Sequence, residues 1–79
     1  MNSTIFTNGP SEYLVSYGVV VCKRFPGVVL DPRWEYSNTT KRHVASFLNL
    51  SAVEIRQKIN EQPNVYRLVP INLVLKEEL

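Results

Sequence analysis

Seventy-nine residues with a formal net charge of +2 and a single cysteine allow one domain with one modest core, near the lower size at which a chain folds without disulfides, metal or a partner. The charge is too small to mark a dedicated nucleic-acid binder, Cys22 has no second thiol to pair with, and no apolar run reaches the length that spans a bilayer. The opening Met1-Asn2-Ser3-Thr4-Ile5-Phe6-Thr7 lacks the basic start and apolar stretch of a signal peptide, so a soluble chain in a reducing, cytoplasmic setting is the expectation.

Residues 1–11 are polar, carry the turn signal Asn8-Gly9-Pro10 and have only Ile5 and Phe6 as anchors, which predicts a flexible N-terminal arm. Residues 12–79 then form the single domain. From Tyr13 to Cys22 the chain is rich in β-branched and aromatic residues and reads as a strand, with Gly18 marking a bulge or a close backbone contact. Cys22, inside the run Val19-Val20-Val21-Cys22, reads as a small buried hydrophobe. Phe25-Pro26-Gly27 supplies turn chemistry and returns the chain through Val28-Val29-Leu30, which Asp31-Pro32 ends or makes an edge. Arg33 to Tyr36 reads as a short extended segment, in which Trp34 and Tyr36 share a face by alternation.

Ser37 or Thr39 can cap the following helix, because either hydroxyl can accept from an unpaired N–H of the first turn. Thr40, Val44, Phe47 and Leu48 recur at helical spacing as its buried stripe, leaving Lys41, Arg42 and Ser46 nearer solvent. Ser51-Ala52-Val53-Glu54 has the form of a capping box, and Leu50 and Ile55 occupy the positions of a hydrophobic staple. A second helix over about Ala52 to Glu61 follows, with Ala52, Ile55 and Ile59 inward and Glu54 and Lys58 as an i,i+4 pair. Pro63-Asn64 breaks it, Val65 to Val69 reads as a strand, and Ile71-Asn72-Leu73-Val74-Leu75 either continues that strand past Pro70 or forms another. The expected architecture is α+β: a small antiparallel sheet of three to four strands with two short helices packed on one face, in the order β-β-α-α-β(-β).

No catalytic or metal constellation accompanies this pattern, and no glycine-rich phosphate loop or cofactor motif is present. His43 is the only histidine and reads as a packed or capping residue whose ring nitrogen meets a backbone or hydroxyl partner. The Asn-x-Ser/Thr triplets at Asn2, Asn38 and Asn49 and the ending Lys76-Glu77-Glu78-Leu79 need entry into the secretory route, which nothing else suggests. Charge is uneven, since Lys23, Arg24, Arg33, Lys41 and Arg42 face only Asp31 and Glu35 between residues 23 and 43. With the neighbouring aromatics this gives a candidate partner-binding set of Arg24, Arg33, Trp34, Tyr36, Lys41 and Arg42.

The run Trp34, Tyr36-Ser37, Thr39-Thr40, His43 and Phe47-Leu48, preceded by Ser16-Tyr17-Gly18 and the Val19-to-Cys22 strand, resembles a family of small phage and plasmid proteins carrying a domain of unknown function. The positions matching that pattern are Tyr17, Trp34, Tyr36, Ser37, Thr39, Thr40, His43 and Phe47, within a similarity spanning Leu14 to Leu48. Tiny non-enzymatic phage proteins commonly occupy a surface on a larger host machine. The resemblance therefore implies a regulator of a host protein complex in the bacterial cytoplasm, with RNA polymerase first among targets and transcription initiation or termination as the affected step; a monomer without a cofactor is the accompanying expectation. An anti-defence inhibitor of the anti-CRISPR type is the alternative, and direct DNA or RNA binding through Arg24, Arg33, Lys41 and Arg42 is a third.

Overall fold

A computed structural model describes residues 3–71. Ser3–Asn8 (β1), Ser11–Ser16 (β2), Val19–Arg24 (β3) and Val28–Leu30 (β4) run as an antiparallel meander. Tyr66–Leu68 (β5) joins beside β4 in parallel, completing a five-stranded sheet in the order β1-β2-β3-β4-β5. Between β4 and β5 the chain makes a 3₁₀ turn, Pro32–Glu35, and two helices, Asn38–Leu48 (α1) and Ala52–Glu61 (α2).

The α+β class stands, while the strand count, order and direction are corrected. The sheet is mixed, because β4 and β5 are joined by a crossover through both helices, and a helical crossover of that length brings the chain back in the same direction. The continuous strand expected from Tyr13 to Cys22 is two strands. Tyr17 and Gly18 form the two-residue turn between them with φ of 51° and 76°, the positive pair that a type I′ hairpin turn requires. Gly18 is thus a turn residue, and the bulge lies further on, where the pairing slips between Leu14/Val15 and their partners Cys22 and Val20.

Ser3–Asn8, expected within a flexible arm, pairs along its whole length with β2, from Ser3↔Ser16 to Asn8↔Ser11. The Asn8-Gly9-Pro10 signal acts here as a hairpin: Gly9 at φ 61° takes the first central position of a two-residue turn, and Pro10 takes the second. The segment expected from Ile71 to Leu75 lies, beyond Ile71, outside the described residues.

Ile5, Leu14, Cys22, Leu30 and Leu68 stand in one cross-strand row and share the face that receives the helices. Leu14, Cys22 and Leu30 pack there with Val21, Trp34, Val44, Phe47 and Ile55 as one buried cluster. Burial pushes the Cys22 thiol up to about 12, so it remains protonated and packs as an apolar group.

Local signals for the helices work as the residues suggest. Ser37 caps α1 by accepting from Thr40 N at 3.1 Å, and Asn49 ends it in the left-handed conformation at φ 58°. Ser51 and Glu54 form a complete capping box at the start of α2, with reciprocal bonds of 3.0 and 3.1 Å.

Asp31 organises the junction between β4 and α1. Its carboxylate accepts from Arg33 N at 2.9 Å, Arg33 Nε at 3.0 Å and Ile71 N at 3.2 Å, which ties the 3₁₀ turn to the chain after β5. Burial alone would raise its pKa, but the hydrogen bonds and charge of Arg33 and the Ile71 amide outweigh it and hold the carboxyl below its ordinary value.

Candidate functional site

The 3₁₀ turn decides which aromatic reaches the surface. Asp31 as cap followed by Pro32 at the first helical position starts a helical turn, so residues 33–36 wind instead of extending. Winding separates two side chains that alternation would have placed together. Trp34, 2% exposed, points into the core cluster, and Tyr36, 85% exposed, points out of it.

Beneath Tyr36 a chain of hydroxyls joins α1 to the end of β2. Ser37 Oγ donates to Thr40 Oγ1 at 3.1 Å, Thr40 Oγ1 lies 3.1 Å from Ser16 Oγ, and Ser16 Oγ lies 2.8 Å from His43 Nδ1. Ser37 donates to Thr40, and the Thr40–Ser16 and Ser16–His43 links close with either partner as donor, so the three contacts form one continuous chain. Ser16 and Thr40 are buried, so this network fixes the α1 N-terminus against the sheet.

An open groove of about 560 Å³ lies over the network, lined by Ser16, Tyr17, Arg33, Tyr36, Thr39 and Thr40 among others. Tyr17 stands at its rim, 53% exposed, with its ring 6.1 Å from that of His43. Arg33 contributes a half-exposed side chain whose guanidinium is oriented by the buried Asp31.

Comparison with known proteins adds a family without adding an activity. A family of unknown function, DUF8033, matches residues 1–62. The chain belongs to that family. No curated protein and no solved structure matches it.

In this DUF8033 chain the six residues expected to form one basic-aromatic face are divided. Arg33 and Tyr36 meet at the groove. Trp34 is withdrawn from the set, because a side chain locked in the core has no surface to offer. Arg24 is withdrawn as well, since its groups are occupied at the other end of α1: Nε pairs with Glu12 Oε1 at 2.9 Å, Nη1 donates to the Phe47 carbonyl, and the guanidinium lies 4.2 Å from the Phe47 ring. Arg42 is exposed and Lys41 is half-buried on α1, and neither has an ion-pair partner among the described residues.

Ser16, Tyr17 and Thr39 belong to the site and were absent from the expected set. The signal that locates Tyr17 is the pair Tyr-Gly between the six-residue strands Ser11–Ser16 and Val19–Arg24, a hairpin that reads as one strand. Ser16 meets His43 across 27 positions of chain, a pairing that only the folded β2–α1 contact creates. His43 does find the hydroxyl partner expected of a packed histidine.

Among the described residues no group of three or more His, Cys, Asp or Glu is arranged to hold a metal ion, and no helix is long and apolar enough to cross a membrane.

Proposed function

We propose that this DUF8033 chain is a non-enzymatic docking domain that engages a protein partner through the rim of Tyr17, Arg33 and Tyr36 at the N-terminal end of α1. Tyr17 carries the reading. It holds φ at 51° where a type I′ turn prefers Asn, Asp or Gly, a strain of about 1–2 kcal/mol for a side chain with a Cβ. Its ring is half-exposed and lies outside the core cluster, with the His43 ring 6.1 Å away, so no core packing offsets that strain. Strain retained at an exposed aromatic is the signature of a residue kept for what it touches.

Tyr36 extends the same rim with a second exposed ring, and two tyrosines beside an oriented arginine are the residue types that dominate protein hot spots. Arg42 and Lys41 give the neighbourhood a cationic bias suited to an acidic partner surface. A catalytic role for the Ser16–His43 pair has less support, because Ser16 is 2% exposed and its hydroxyl is shielded from an incoming substrate. The partner we propose is a host protein machine, with bacterial RNA polymerase first and transcription as the process affected. Size, charge and the resemblance to small phage and plasmid proteins support that choice.

The test is a tagged pulldown from bacterial lysate, with and without nuclease, using the native chain and a Tyr36→Ala variant shown to be folded. The expected result is polymerase subunits retained after nuclease by the native chain, and retention reduced about tenfold or more by Tyr36→Ala. Loss of every partner after nuclease, or equal retention by the variant, overturns the proposal.

A further inference from the structure

The sheet has a second face, and it is buried. Helices α1 and α2 pack on the face that carries Leu14, Cys22 and Leu30, while alternation turns Tyr13, Lys23 and Val29 to the other side as one cross-strand row. In an antiparallel meander such a face is commonly left to water and carries polar residues. Here Tyr13 is 0% exposed, Val29 5% and Lys23 8%, and Ser11 on the same side is buried as well. Phe6 stacks on the Tyr13 ring at 4.8 Å and covers part of it, but no helix among the described residues lies over this face.

The last described residue is buried apart from the helices. Ile71 follows β5, donates its N–H to Asp31 at 3.2 Å and is 0% exposed, yet it stands outside the helix-side cluster, as Tyr13 and Val29 do. From the end of β4, where Asp31 holds Ile71, strand β2 and its Tyr13 are two strand spacings away, about 10 Å. The eight residues 72–79 reach about 26 Å extended and about 12 Å wound as a helix, so either form spans the distance. Their order suits the face: helical spacing aligns Ile71 with Val74, Leu75 and Glu78, and alternation aligns it with Leu73, Leu75 and Glu77. Both patterns offer aliphatic carbon first and a carboxylate beyond it.

Charge narrows the choice of occupant. Lys23 Nζ lies 5.9 Å from the Tyr13 ring centroid, and an ammonium drawn this far from water calls for an anionic neighbour. Of the seven acidic residues, Glu12, Asp31 and Glu35 pair with Arg24, Arg33 and Arg56, Glu54 closes the α2 capping box, and Glu61 ends α2 on the helix side. Glu77 and Glu78 complete the seven. We propose that residues 72–79 of this same chain cover the second face, with aliphatic side chains of Leu73, Val74 or Leu75 on Tyr13 and Val29 and a Glu77 or Glu78 carboxylate beside Lys23. The face is an intramolecular docking surface, and it stands independently of the rim at Tyr17, Arg33 and Tyr36.

Nuclear Overhauser contacts in the full native chain, with labelled Leu and Val methyls and protonated Tyr rings, test it. The expected result is contact between the Tyr13 ring and methyls of Leu73, Val74 or Leu75 that persists when labelled chain is diluted into unlabelled chain, the mark of a contact within one molecule. No contact from Tyr13 to those methyls, or contact seen only between differently labelled copies in a mixed sample, overturns the proposal. Charge reversal reads the ion pair: Lys23→Glu should lower the melting temperature by about 10 °C or more, and Glu77→Lys or Glu78→Lys added to it should restore about half of that loss or more. Rescue through Glu78 assigns helical spacing to the segment, and rescue through Glu77 assigns alternation. Rescue through neither overturns the proposal.

Discussion

The two ends of α1 use the same residue types for opposite purposes. At the C-terminal end Arg24 is consumed by the fold, bonded to Glu12 and the Phe47 carbonyl and stacked on the Phe47 ring. At the N-terminal end the interior is satisfied by Ser16, Thr40 and His43 among themselves, and Tyr17, Arg33 and Tyr36 are left standing around an open groove. A cation beside an aromatic is therefore a mark of function only where its contacts leave it available. Arg24 and Arg33 are both ion-paired, and they separate by exposure, 30% of the side chain against 52%.

The sharpest way to break this comparison is at Trp34, which sits two residues from Tyr36 and faces the other way. Trp34→Ala should cost about 3–5 kcal/mol of unfolding free energy, because it empties the centre of the core, whereas Tyr36→Ala should stay within about 0.5 kcal/mol of the native chain. Denaturant unfolding of both variants measures the contrast, and similar losses in the two would erase it. Arg24→Ala comes next, at about 1–3 kcal/mol, since it removes a charge-assisted bond to a carbonyl and an ion pair together. Partner affinity per folded molecule should not change in that variant, whereas the same substitution at Arg33 should weaken binding.

Acid should act through Asp31. Its pKa is lowered in the folded state, so its contribution is complete above the unfolded carboxyl range and fades as pH falls below about 4 through the folded value. Thermal melts across that window should show a steeper loss for the native chain than for Asp31→Asn; parallel curves would contradict the role given to this carboxylate. The smallest effect has the opposite sign. Tyr17→Asn should stabilise the chain by about 1 kcal/mol, by relieving a strained φ, while weakening partner binding. A variant that gains stability and keeps full affinity would show that Tyr17 is only a turn residue.

What the chain discloses in advance follows the range of the forces involved. The capping box at Ser51 and Glu54 and the cap at Ser37 act over three or four residues, and α1 and α2 are legible to within the ends of their spans. The turn at Phe25-Pro26-Gly27 is equally local. Asp31-Pro32 was also a local signal, a cap followed by proline at the first helical position, but the alternation of Trp34 and Tyr36 suggested a strand and hid it. Tyr17-Gly18 escaped because tyrosine is not the residue that such a turn selects. The parallel pairing of β4 with β5 and the Ser16–His43 bond join residues distant in sequence, and no local pattern specifies either.

The account is tested most directly by a backbone chemical-shift perturbation map of the labelled chain titrated with the partner retained in pulldown. The expected result is that the largest shifts fall on Tyr17, Arg33, Tyr36 and Thr39, with Arg24 and the C-terminal turn of α1 unmoved. Shifts concentrated on Arg24 and Phe47, or spread along α2, would contradict it.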